Sequence, residues 1–116
     1  MKDLAARINS AALLLVVALL LSAGPVRAQA DAASLFKSKC GDCHGADGSG
    51  NTAVGKSLNL RDLRSADVQK QTDEELTGMT ANGKGGMPAY KNKLTGDQIK
   101  QLTAYMRDLA KKNKKK

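Results

Sequence analysis

Five consecutive residues, Cys40-Gly41-Asp42-Cys43-His44, constrain this chain more than any other stretch. Two thiols in a C-x-x-C spacing, with an imidazole directly after them, read as a c-type haem attachment site. The spacing suits that chemistry. The two sulfurs add across the two vinyl groups on one haem edge, and the adjacent histidine lies beneath the iron. A chain built around this motif must supply a second iron ligand, a dry pocket and an open edge for docking.

Other readings of the same residues are weaker. A thioredoxin-like C-x-x-C pair belongs beside a βαβ pattern, and none is visible. Tetrahedral zinc needs four ligands, whereas the chain holds two cysteines and one histidine. A Cys40–Cys43 disulfide would close a loop too tight to stabilise much.

The N-terminus reads as an export signal over residues 1–28. Lys2 and Arg7 form a positive start, Ala11 to Leu21 is an unbroken apolar run, and small residues follow at Ala28 and Ala30. The run suits a signal h-region and is short for a membrane span. Cleavage is expected after Ala28 or Ala30, with an uncleaved anchor as the alternative. The remainder divides into one domain, 29–110, and a lysine-rich tail, 111–116.

A domain this short struggles to bury enough apolar surface. Its aromatic residues are Phe36, Tyr90 and Tyr105, and it has no tryptophan. A buried haem would supply the missing contacts. The net charge of +8 is misleading. Three of the positive residues lie in the leader and five lysines in the tail, so the body is close to neutral. Basic residues in a tail without interleaved aromatics do not suit nucleic-acid binding.

Periodicity predicts an all-α chain with three main helices and long loops. Asp31 to Lys39 places Ala32, Leu35 and Phe36 on one face, with Asp31 able to cap the start. Residues 45–60 read as a glycine-rich loop with Val54 and Leu58 as buried points, and 59–63 as a turn of helix. Thr72 to Glu75 and Thr95 to Gln98 are capping boxes. The first starts a helix carrying Leu76 and Met79. The second starts one in which Ile99, Leu102, Tyr105, Met106 and Leu109 recur at helical spacing. The lysine run ends that helix and suits its dipole.

The second iron ligand cannot be another imidazole, because His44 is the only histidine. Methionine sulfur and lysine nitrogen remain. Met106 and Met79 fall on apolar helix faces and read as core or pocket lining. Met87 lies in a glycine-rich loop before Pro88, where a loop can carry its sulfur across the haem face opposite His44. A lysine is the minor alternative, because losing its proton at neutral pH is costly. Lys56, Arg61 and Arg64 are candidate partners for the haem propionates, each equally readable as a solvated charge.

With these residues in place the chain resembles class I cytochrome c, especially its small monohaem bacterial and photosynthetic-type members. The resemblance covers residues 31–110. It is carried by Phe36 before Cys40, by Cys40, Cys43, His44 and Gly45, by Asn82-Gly83-Lys84-Gly85-Gly86-Met87-Pro88-Ala89-Tyr90, and by Leu102 and Tyr105. It implies the cytochrome c fold wrapped round one haem c and its iron. Cys40 and Cys43 would form the thioether links, with His44 and Met87 as proximal and distal ligands. Ala32 and Phe36 would cross Leu102 and Tyr105. Bacterial haem attachment outside the cytoplasmic membrane implies a periplasmic location. Two departures stand out: the proline whose carbonyl accepts the His Nδ1 proton is missing, as is the tryptophan near a propionate. A carbonyl near Ala53 or Val54 is the expected substitute for the first.

The expected function is a monomeric one-electron carrier between periplasmic or membrane redox proteins, with no catalytic residues and no enzyme activity. Met–Fe ligation predicts a raised reduction potential. The alternatives are a haem subunit of a larger dehydrogenase or oxidase, and an open-site haem sensor or enzyme if Met87 is not a ligand. The tail reads either as a solubilising end or as an electrostatic contact, transient at a membrane surface or steering an acidic partner.

Overall fold

Apolar side chains at helical spacing near both ends of the domain draw its two longest helices together. The computed structural model describes residues 24–116. Helix α1 spans Gly24–Lys39, α2 Gly41–His44, α3 Ala53–Ser57, α4 Ala66–Gln69, α5 Asp73–Asn82 and α6 Gly96–Lys114. No strand forms among the described residues, only an isolated bridge between Lys84 and Met87. The all-α expectation holds, with α1, α5 and α6 as the three main helices.

Helix α6 buries Ile99, Leu102, Thr103, Met106, Leu109 and Ala110 along one stripe. Helix α1 buries Ala32 and Phe36 against it. The Phe36 and Tyr105 rings meet with centroids 5.4 Å apart and planes tilted by 53°. Thr103 and Thr77 share a 3.1 Å hydrogen bond between α6 and α5. Val68, Leu76 and Leu94 complete the core.

Both capping boxes form. Thr72 accepts from the Glu75 backbone N–H while Glu75 reaches back to the Thr72 N–H, and Thr95 and Gln98 do the same on α6. The Arg107 guanidinium on α6 donates to the carbonyls of Gln69 and Gln71 and pairs with Asp73 at 2.8 Å. It therefore locks the α4–α5 junction onto α6.

Several local expectations change. The start of the leader lies outside the described residues, but α1 already runs from Gly24, through both expected cleavage points. Asp31 is thus interior to α1 here rather than its cap. Residues 45–60 are not all loop, since α3 forms within them, and α4 follows shortly after. Residues 59–63 are not helical. They pass through turns, with Asn59 at φ 51°. Val54 and Leu58 are not buried but 42% and 49% exposed. α3 is too short to offer two faces, and the residue it buries is Gly55. The last helix does not stop at the lysines but continues through Lys114.

Among the described residues no helix is long and apolar enough to cross a membrane.

Candidate functional site

The motif follows α1 without a break. Cys40 N–H bonds the Phe36 carbonyl at 2.8 Å, and His44 N–H bonds the Cys40 carbonyl at 2.9 Å. One tight turn therefore holds both thiols and the imidazole. α3 braces that turn from behind. Thr52 Oγ1 donates to the Cys43 carbonyl at 2.7 Å and accepts from Gly55 N–H at 2.8 Å. Gly50 N–H donates to the His44 carbonyl at 2.7 Å. A Cβ on Gly55 would stand 2.2 Å from Gly50 O and 2.8 Å from Cys43 O, so only glycine allows this approach.

Met87 is brought in by the chain leaving α5. Gly83 takes φ 71° and closes the helix on the Met79 carbonyl. Lys84 and Met87 then exchange backbone hydrogen bonds of 3.1 and 3.0 Å. A Cβ on Gly83 would stand 2.6 Å from Met87 O. Tyr90 fastens the far side of the loop. Its N–H bonds the carbonyls of Thr80 and Ala81, and its hydroxyl donates to the Lys39 carbonyl at 2.9 Å. The Met87 loop is thereby tied to the end of α1, next to Cys40.

Between these two walls lies an open cavity. Cys40, His44 and Met87 all line it, against a largely apolar wall that includes Met79 and Met106. A smaller cavity shares Cys40, His44 and Met87 with it and adds Cys43, Leu58, Gly86 and Pro88 at the rim. The four expected site residues therefore converge on one slot. Met79 and Met106 line it as expected. Arg61 also lines the cavity. Arg64 does not: Asp62 at 2.8 Å and Asp47 at 3.4 Å occupy its guanidinium. Lys56 is exposed on α3.

Burial tunes the polar groups. It lowers the His44 pKa, which keeps the ring neutral and able to ligate a metal at neutral pH. Desolvation, with a smaller contribution from Cys43, pushes the Cys40 thiol up to about 11. Among the described residues, His44 Nδ1 is buried without a hydrogen-bond partner. The expected carbonyl near Ala53 or Val54 does not fill that role, and the Val54 carbonyl accepts from Leu58 N–H instead. A flat, mostly apolar iron macrocycle fits this donor set: a neutral imidazole and a thioether on a shared cavity, with two thiols at its edge.

Thr52, Gly55 and Tyr90 received no role from sequence reasoning. For Thr52 a signal existed: its hydroxyl three residues before Gly55 is an N-cap spacing.

Residues 27–106 match the family described as cytochrome C oxidase, cbb3-type, subunit III. The chain is similar to cytochrome c6 of Leptolyngbya boryana, 38% identical over 86 residues, covering 72% of this chain and 98% of that one. It is also 38% identical over 90 residues to the cbb3-type cytochrome c oxidase subunit FixP of Azorhizobium caulinodans. That match covers 74% of this chain but 29% of FixP. Among solved structures, the KustC0563 c-type cytochrome superposes with a TM-score of 0.63 at 31% identity, covering 67% of this chain and 95% of that one.

Proposed function

The chain belongs to the class I c-type cytochromes, with covalently bound haem c as their cofactor, and on that premise we propose that it is a one-electron carrier in which His44 and Met87 would hold the haem iron. Cys40 and Cys43 fit the two attachment positions. The bound group supplies reversible one-electron chemistry at iron. The protein's share is positional. α2 presents His44 from one side, the Gly83–Tyr90 segment presents Met87 from the other, and the apolar wall limits access of water.

One observation carries this reading: His44 and Met87, 43 positions apart in sequence, line the same cavity, whose rim holds both cysteines. With His44 and Met87 both held in place by the fold, the protein would need little rearrangement on gaining or losing an electron, which suits fast transfer. Partners would be donor and acceptor redox proteins meeting a monomer in short encounters at the rim of Leu58, Gly86 and Pro88. Export of the chain to the periplasm after removal of residues 1–28, and a transient contact of the lysine tail with a membrane surface, belong to the same reading. No catalytic acid or base is assigned.

The test is spectroscopic. The oxidised protein should show the weak far-red absorption band of methionine sulfur on iron. Carbon monoxide should bind the reduced protein poorly at neutral pH. An absent band with ready carbon monoxide binding would move the assignment to an open-site sensor or enzyme.

The similarity to FixP favours a second reading, a haem-bearing subunit of a larger oxidase or dehydrogenase. Stable co-purification with membrane subunits would support it, and isolation as a free monomer would remove it.

A further inference from the structure

Charge in this chain is unevenly placed. One basic set, Lys39, Arg61 and Lys84, lines the two cavities. The other is the terminal run Lys111-Lys112-Asn113-Lys114-Lys115-Lys116, exposed at every residue. Because α6 continues through Lys114, most of this run is the projecting end of a packed helix. Lysines three and four positions apart on that end repel one another and weaken the helix. One or two cations would complement its dipole. Lys111 reaches Asp108 at 3.5 Å, the one ion pair of the tail among the described residues. The run therefore holds more positive charge than the fold requires.

The run itself does not line the cofactor opening. Gln29 of α1 donates to Asp108 of α6, and Arg64 donates to Asn113 at 3.4 Å. The base of the tail thus packs beside Gln29 in the first half of α1 and beside Arg64, the neighbour of Leu63 in the cavity wall. Lys39, at the other end of α1, borders the opening. Ten residues of α-helix separate Gln29 from Lys39, about 15 Å at 1.5 Å per residue. No tail residue lines either cavity.

We infer that Lys111, Lys112, Lys114, Lys115 and Lys116 form a docking surface for anionic phospholipid headgroups, which holds the protein at a membrane with its cofactor opening left free. The chemistry favours lipid over an acidic protein. Lysine ammonium groups are hydrated point charges without the bidentate geometry of arginine. The run contains no aromatic or apolar side chain that could anchor a protein interface. A diffuse anionic plane needs neither. Attraction of this kind contributes about fivefold in affinity per lysine, the equivalent of about 1 kcal/mol each.

The inference rests on the carrier reading for its purpose alone, since lipid contact needs no electron. The test is co-sedimentation of the full haem-loaded protein with phosphatidylglycerol–phosphatidylcholine vesicles and with pure phosphatidylcholine vesicles. Binding is expected to the mixed vesicles at low salt, to fall steeply with added salt, and to be absent on the neutral ones. Removing residues 111–116, or replacing all five lysines with glutamine, should weaken it by at least about a hundredfold. Replacement with arginine should preserve it. The visible spectrum should be unchanged throughout, so a failure of iron ligation would appear in the parent spectrum and not in the vesicle result. Equal binding without the tail, or equal binding to neutral vesicles, would overturn the inference. So would no binding to anionic vesicles. If tail removal then slowed electron transfer to an acidic protein in free solution, the surface would be assigned to a protein partner.

Discussion

Replacing Gly55 with alanine tests the bracing of the haem motif by α3. The new methyl would stand 2.2 Å from the Gly50 carbonyl oxygen and 2.8 Å from that of Cys43. Both are backbone atoms, so neither side chain can turn aside. Relief requires Gly50 to move by about 1 Å, since contacts under about 3 Å must be relaxed. That movement strains the Gly50–His44 hydrogen bond of 2.7 Å and the Thr52–Gly50 bond of 2.9 Å. Overpacking costs about 1–3 kcal/mol, and the two weakened hydrogen bonds add about 1 kcal/mol each. Better helix propensity of alanine offsets about 1 kcal/mol. The net loss is about 2–4 kcal/mol, or a fall in melting temperature of about 10–30 °C for a domain of this size. Thermal melting followed by far-ultraviolet circular dichroism reads it directly. A variant melting within about 3 °C of the parent would refute the close approach of α3 to the motif.

Met87→Ala should abolish the weak far-red band, lower the reduction potential and admit carbon monoxide to the reduced iron. Redox titration and carbon monoxide difference spectra would check this. Phe36→Ala removes a fully buried ring from the α1–α6 crossing and should cost about 3–5 kcal/mol in denaturant unfolding. Thr52→Val deletes the cap of α3 and its bond to Cys43, and the same assay should find a loss of about 1–2 kcal/mol. The Arg64 side chain, hydrogen-bonded to Asp62, holds that carboxyl below its usual range. Its contribution is thus full above the unfolded value of about 3.9 and lost as pH falls through the lower folded value. Asp62→Asn should flatten the acid limb of a stability–pH profile below about pH 4.

The parts of the fold legible from sequence are those whose signals are local. Thr72 and Glu75, and Thr95 and Gln98, announce two helix starts because a capping box is complete within four residues. Cys40, Cys43 and His44 are legible because their chemistry fixes their spacing. Met87 stood out from Met79 and Met106 because it has no helical stripe to belong to, and it lines the cavity with His44. What escaped is set by contacts distant in sequence. α3 has one turn and no usable periodicity, and its place follows from Gly55 pressing on the backbone of Cys43. That packing explains why Val54 and Leu58 are exposed, Leu58 at the rim. Arg64 read as a propionate partner or a solvated charge, whereas Asp62, two residues before it, and Asp47 hold its guanidinium. Tyr90 gained its role through a carbonyl 51 residues away.

The intact mass of the protein, produced where haem-attachment machinery is active, tests the central claim most directly. The account predicts a coloured protein heavier than its processed polypeptide by one haem, with the added mass surviving denaturation and lost when Cys40 and Cys43 are both replaced by alanine. A colourless product with the mass of the bare polypeptide, under conditions that mature a known c-type cytochrome, would contradict it.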